Sequence, residues 1–167
     1  MAKSSGLAVL ALLIAIGALG FGIFQFFFAA PKVEKTGIQH TWYDFHYAEV
    51  LTNPISTVIT VNQLTIDFTV GSGESVYFHF NTWADVDAGA NSYIQINFVL
   101  DGSPLSGPTY PWWVVRTTED NMEIPVSCQL SIDSLTVGNH TASINIFGSD
   151  NNNRIFSSTL LVQTYVP

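Results

Sequence analysis

Positive charge is scarce in this chain. From Thr36 onward this 167-residue chain offers only Arg116 and Arg154 against twelve acidic side chains. The net charge is +2 before Thr36 and −10 after it, together the −8 of the whole chain. A domain so acidic repels phosphate backbones and anionic headgroups, which excludes nucleic-acid binding. Cysteine is nearly absent too. Cys128 stands alone, so no disulfide can form within the chain, and its place in the alternating run PVSCQLSI marks it as a small buried residue. The signatures of enzymes are missing as well. There is no Gly-x-Ser-x-Gly elbow, no phosphate loop and no dinucleotide turn. His40, His46, His79 and His140 are dispersed, without the spacing or cysteine partners that zinc requires. A non-catalytic chain is expected. Beyond residue 31 no segment carries a helical period.

What is present divides sharply at that point. Residues 6–30, GLAVLALLIAIGALGFGIFQFFFAA, contain no charged residue. A helix of about 24 residues spans roughly 36 Å, enough to cross a hydrocarbon core of about 30 Å. The run is longer than a secretory signal core, and Phe28-Ala29-Ala30 followed by Pro31 makes a poor cleavage site. Residues 1–30 therefore read as an uncleaved signal-anchor, with residues 7–29 in the bilayer. A short stalk over 31–39 and a domain over 40–167 follow. The chain is expected to be a single-pass protein of the cell membrane, its C-terminal domain extracytoplasmic.

The rest alternates with period two. Residues 55–61 (ISTVITV) read as a strand. Residues 63–70 and 75–83 read as a hairpin about Gly71-Ser72-Gly73, with Val76, Phe78 and Phe80 on one face and Tyr77 and His79 on the other. Residues 92–100 put Ile94, Ile96, Phe98 and Leu100 inward before Asp101-Gly102, the strongest turn signal in the chain. Further strands are read over 112–118, 122–132, 140–147 and 154–166, the last entered through a turn at Asp150-Asn151-Asn152-Asn153. Eight to ten strands in a domain of this length predict an all-β antiparallel sandwich or jelly roll behind one transmembrane helix.

Three stretches carry candidate chemistry. Asp85-x-Asp87-x-Gly89-x-Asn91 spaces oxygen donors about a bendable glycine, a way of presenting ligands to Ca²⁺ or simply a polar loop. Calcium is thus the one cofactor the sequence suggests, at Asp85, Asp87 and Asn91. Tyr110-Pro111-Trp112-Trp113 places two tryptophans in succession, which on a strand must point to opposite faces. Tyr110, Trp112 and Trp113 are therefore candidate partner contacts, with packing under the proline-rich connection as the other reading. Asn139-His140-Thr141 is a glycosylation sequon in a turn.

The order of segments resembles the C1q/TNF-like jelly roll. The stretch 63–83, the strand and turn SYIQINFVLDGSP, the late strands over 122–146 joined through Thr136-Val137-Gly138-Asn139, and the terminal STLLVQTYVP carry that resemblance over roughly 100 residues. Trp42-Tyr43-Asp44-Phe45 meets the family's first-strand aromatic pattern only loosely. The resemblance implies a homotrimer that binds a ligand or protein at a cell surface. A second resemblance is to archaeal type IV pilins and archaellins, in which an apolar N-terminal helix precedes a β-domain. It implies a filament subunit whose helix packs against its copies, although Lys3, three residues before Gly6, fits that family's processing site imperfectly.

Overall fold

Alternation decides which side chains meet. On a strand every second residue faces the same way, and here the apolar set faces inward on nearly every strand. The computed structural model describes residues 14–16, 36–87, 92–105, 112–119 and 122–167. The chain divides into two units, Met1–Glu34 and Lys35–Pro167. Of the first, residues 14–16 are helical, and the rest of the expected anchor and stalk up to residue 35 lies outside the described residues. Among the described residues no helix is long and apolar enough to cross a membrane.

The second unit is all-β. Its strands are β1 (Gly37–His46), β2 (Val50–Leu51), β3 (Ile59–Thr60), β4 (Ile66–Val70), β5 (Ser75–Val86) and β6 (Ser92–Leu100). They are followed by β7 (Ser103–Pro104), β8 (Trp113–Thr117), β9 (Met122–Ile132), β10 (Gly138–Gly148) and β11 (Arg154–Val166). Sheet A has the order β1-β11-β5-β9, with β2 also beside β11. Sheet B places β3 and β4 on one side of β10, then β6, then β7 and β8. Every pairing is antiparallel. The chain passes repeatedly between the sheets, and this strand order is that of a jelly roll.

Two local expectations are corrected. β4 and β5 do not form a hairpin, because β4 pairs with β10 in sheet B while β5 pairs with β11 and β9 in sheet A. The Gly71-to-Glu74 turn is a crossing between sheets, closed by the Gly71 amide donating to Glu74 Oε2 at 2.9 Å. The 55–61 run is mostly not strand: Ile55 and Ser56 turn, and Thr57, Val58 and Val61 are irregular. It follows a cis Asn53–Pro54 bond, and only Ile59 and Thr60 pair, with Ile146 and Asn145. Asp101-Gly102 does turn β6 into β7, both residues having positive φ, 50° and 74°, as a tight hairpin turn requires.

Between the sheets runs a chain of aromatic rings. Trp42 lies 5.9 Å from Phe68, Phe68 5.9 Å from Phe78, Phe78 5.8 Å from Phe98, and Phe98 5.3 Å from Trp113. Aliphatic residues such as Leu64, Ile94, Ile144 and Leu160 pack around it. Cys128 is buried in the same core, and burial pushes its thiol up to about 12. It is inert filling, not a nucleophile.

Candidate functional site

Asp85 and Asp87 sit at the end of β5, beside the start of β11. Arg154 grips Asp85 Oδ2 through Nε at 2.9 Å and through its terminal nitrogen at 2.7 Å, and reaches Glu49 at 3.2 Å. The Asn152 amide donates to Asp87 Oδ2 at 2.7 Å. A pocket of about 210 Å³ is bordered by Leu51, Asp85, Asp87, Asn152 and Arg154. A guanidinium already stands where a cation would gather the carboxylates. Asn91 lies outside the described residues. Among the described residues no set of three or more His, Cys, Asp or Glu side chains is placed to hold a metal.

What organises this end of the sandwich is Asn153, which is fully buried. Its Oδ1 accepts from the Asp87 amide at 2.8 Å and from Ser92 Oγ at 3.1 Å, and its Nδ2 donates to the Tyr93 carbonyl at 2.9 Å. One side chain thus ties the two residues that bracket 88–91. The sequence offers no signal for it, since Asn153 is the third of three identical residues.

Trp112 and Trp113 diverge. Trp112 is exposed, while Trp113 is half-buried and packs edge-on against Phe98. Trp113 belongs to the core, which leaves Trp112 as the contact candidate. Tyr110 lies outside the described residues.

One uncharged surface that sequence reasoning missed covers four rows of the outer face of sheet A. The register aligns Thr41, Gln163, Tyr77 and Ser131 in one row across the sheet. The next rows are Tyr43, Leu161, His79 and Gln129, then Phe45, Thr159, Asn81 and Ser127. Phe156, Trp83 and Pro125 form the fourth, and the row after it, Arg154, Asp85 and Glu123, is charged and bounds the uncharged rows. None of the residues in the four rows from Thr41 to Pro125 is Asp, Glu, Lys or Arg. Tyr43 is 62% exposed, Phe45 43% and Trp83 42%. Tyr47 stands edge-on to Phe45 with ring centroids 4.3 Å apart. His79 bonds Ser127 of the next row at 3.0 Å, and Gln163 donates to Thr41 within its own row at 3.2 Å. Ser157, at φ 49°, opens a bulge in β11, and beside it Trp83, Pro125 and Ser127 border a pocket of about 230 Å³. The alternation of β1, β5 and β11 could have identified the outward residues. The pairing that sets them side by side is not written locally.

The opposite rim, in sheet B, is polar. His140 is buried, and its ring donates to Asp101 Oδ2 at 2.8 Å through Nδ1 and to the Thr136 carbonyl at 2.7 Å through Nε2. Two acceptors on one ring call for the imidazolium. Burial opposes that charge, but the Asp101 hydrogen bond, the Thr136 carbonyl and the Asp101 charge outweigh it and hold His140 above the ordinary 6.5. Asp101 is held below 3.8, first by the His140 hydrogen bond and then by the Thr141 amide.

The His140 contribution is complete below pH 6.5 and is lost as pH rises through its higher folded value. The Asp101 contribution is complete above pH 3.8 and is lost as pH falls through its lower folded value. H140Q should therefore lower the urea midpoint more at about pH 5.5 than at about pH 8.5. Equal losses at both would show that the ring acts only by packing.

No protein-family model matches the chain, and no curated protein matches it. Solved structures do resemble it. A chain of infectious bursal disease virus, Gt strain, is 10% identical with a TM-score of 0.48, over 81% of this chain and 36% of that one. The CBM36-1 domain of a multidomain xylanase from the hindgut metagenome of Trinervitermes trinervoides is 7% identical with a TM-score of 0.41, over 74% of this chain and 96% of that one. A chain of Bacillus endospore appendages, described as disulfide-linked pili, is 13% identical with a TM-score of 0.35, over 82% of this chain and 97% of that one. The chain thus spans about a third of the length of the viral chain. Similarity of this degree transfers no function, and it lends no support to the C1q/TNF-like or archaeal pilin resemblance.

Proposed function

We propose that the chain is a membrane-held, extracytoplasmic β-sandwich that works by assembling with its own copies through the outer face of sheet A, without catalysis. The observation that carries this reading is the block of four uncharged, aromatic-bearing rows on that sheet, bounded by the Arg154, Asp85 and Glu123 row, in a domain of net charge −10. Two copies repel one another wherever their acidic surfaces approach. A basic partner would be drawn to those acidic surfaces and not to this face. An equally acidic partner can come close here without that repulsion, and a second copy is such a partner. One face meeting itself closes as a two-fold pair, whereas a trimer needs two different patches. The face measures roughly 20 Å by 20 Å from strand spacing and rise. That is small for a stable interface, and tethering in one membrane raises the local concentration at which a weak pair forms.

The test uses the full chain in detergent, with self-association measured by sedimentation beside Tyr43→Glu and Trp83→Glu. Each variant places a charge on both sides of the two-fold contact, and the dissociation constant should rise on the order of 30-fold or more over wild type. Circular dichroism should be unchanged. Polymers that the two variants leave intact would overturn the proposal in favour of association through the apolar N-terminal segment, as in a filament.

A further inference from the structure

We infer that Asn139 is the acceptor of an N-linked glycan, placed on the rim of sheet B so that the outer face of sheet A is left bare. The inference rests on the extracytoplasmic placement proposed above. Asn139-His140-Thr141 is the one Asn-x-Ser/Thr sequence without proline in the chain. At the opening of β10 the strand turns Asn139 and Thr141 to the same outer side, while His140 between them is buried against Asp101 and Thr136. Asn139 is exposed. Its Oδ1 accepts from Thr69 Oγ1 at 2.9 Å, and Thr141 Oγ1 donates to Asp67 at 2.9 Å. These bonds orient the amide and leave Nδ2, the atom that a sugar must join, without a hydrogen bond among the described residues.

The rim gives a sugar room. β6 pairs with β10 only from Ala142 onward, and the Asp101 turn meets His140 and Thr141 on that side without a strand beside Asn139. A cleft of about 360 Å³ lies beside Asn139, bordered by Trp42, Asp67, Thr69 and Thr141. Its hydroxyls and carboxylate suit the hydroxyls of a first sugar, and the indole suits an apolar ring face. In the transfer, Asn139 Nδ2 forms a bond to the anomeric carbon of an oligosaccharide carried on a polyprenyl phosphate or diphosphate. The anomeric C–O bond breaks, the polyprenyl phosphate leaves, and the amide gives up one proton. No electrons are exchanged. A bulky glycan here also blocks association through sheet B and directs it to sheet A.

The test is expression of the full chain in a host that N-glycosylates translocated proteins, with a second Asn-x-Thr on a flexible extension after Pro167. Peptide mass analysis should find sugar at Asn139 in the wild type and in Thr141→Ser, and none in Asn139→Gln or Thr141→Ala. Circular dichroism of the last two should match wild type. Sugar on the extension with Asn139 unmodified would overturn the inference while leaving the outward orientation standing. Sugar at neither position would overturn the orientation and the inference together.

Discussion

Gly148→Ala is expected to destabilise the domain by about 4 kcal/mol, the sum of overpacking and of lost buried hydrogen bonds. Gly148 ends β10, and a Cβ there would meet Thr52 directly, overlapping its Oγ1 and lying 2.5 Å from its Cβ. The φ of Gly148 is not among the positive ones, so space and not backbone conformation calls for glycine. Thr52 cannot step aside cheaply. It is fully buried, its amide donates to the Asn153 carbonyl at 2.8 Å, and its hydroxyl donates to the Asp150 carbonyl at 2.7 Å. Through Asn153 the disturbance reaches Asp87 and Ser92. Such a loss is a large part of a typical stability of about 5–15 kcal/mol. Urea unfolding checks it, and the second-site pattern is the sharper readout. Thr52→Gly in the Gly148→Ala background should recover stability, whereas Thr52→Ala should recover little, because its Cβ remains. A Gly148→Ala variant within about 1 kcal/mol of wild type would show that the Thr52 turn is free to move.

The core was legible because period two needs no partner to be read. Phe78, Phe80, Ile94, Ile96 and Phe98 follow from alternation alone, and all are buried. Topology was less legible. Gly71-Ser72-Gly73 permits both a hairpin and a crossing between sheets, and only the distant partner β10 decides for the crossing. The β-branched 55–61 run carries strand propensity, yet just Ile59 and Thr60 find a partner in β10. Propensity without a partner strand makes no ladder. At the candidate calcium loop, spacing showed the oxygens but not Arg154, which is 69 residues from Asp85 in sequence and supplies the local positive charge. The sheet A face was hidden for a related reason. Its residues come from four strands, and register, not sequence proximity, unites them.

Phe78→Ala is expected to cost about 4–5 kcal/mol, the range for deleting a buried phenylalanine with its ring contacts. Phe78 is 1% exposed and is the middle ring of the aromatic chain, edge-on to Phe68 and tilted against Phe98. It belongs to sheet A, while both neighbours belong to sheet B, so its ring is a direct bond between the layers. The cavity cannot close easily, because Val76 and Phe80 on the same strand hold the spacing of the sheets. Trp113, at the end of the chain and half-buried, should cost less when cut to alanine, about 2 kcal/mol. Because Phe78 and Phe98 share a contact, Phe78→Ala combined with Phe98→Ala should cost less than the two losses added, by about 1 kcal/mol. Urea midpoints of the three variants measure that coupling. Strict additivity would mean that the rings act as separate fillers, and that the sheets are held together by the aliphatic residues around them.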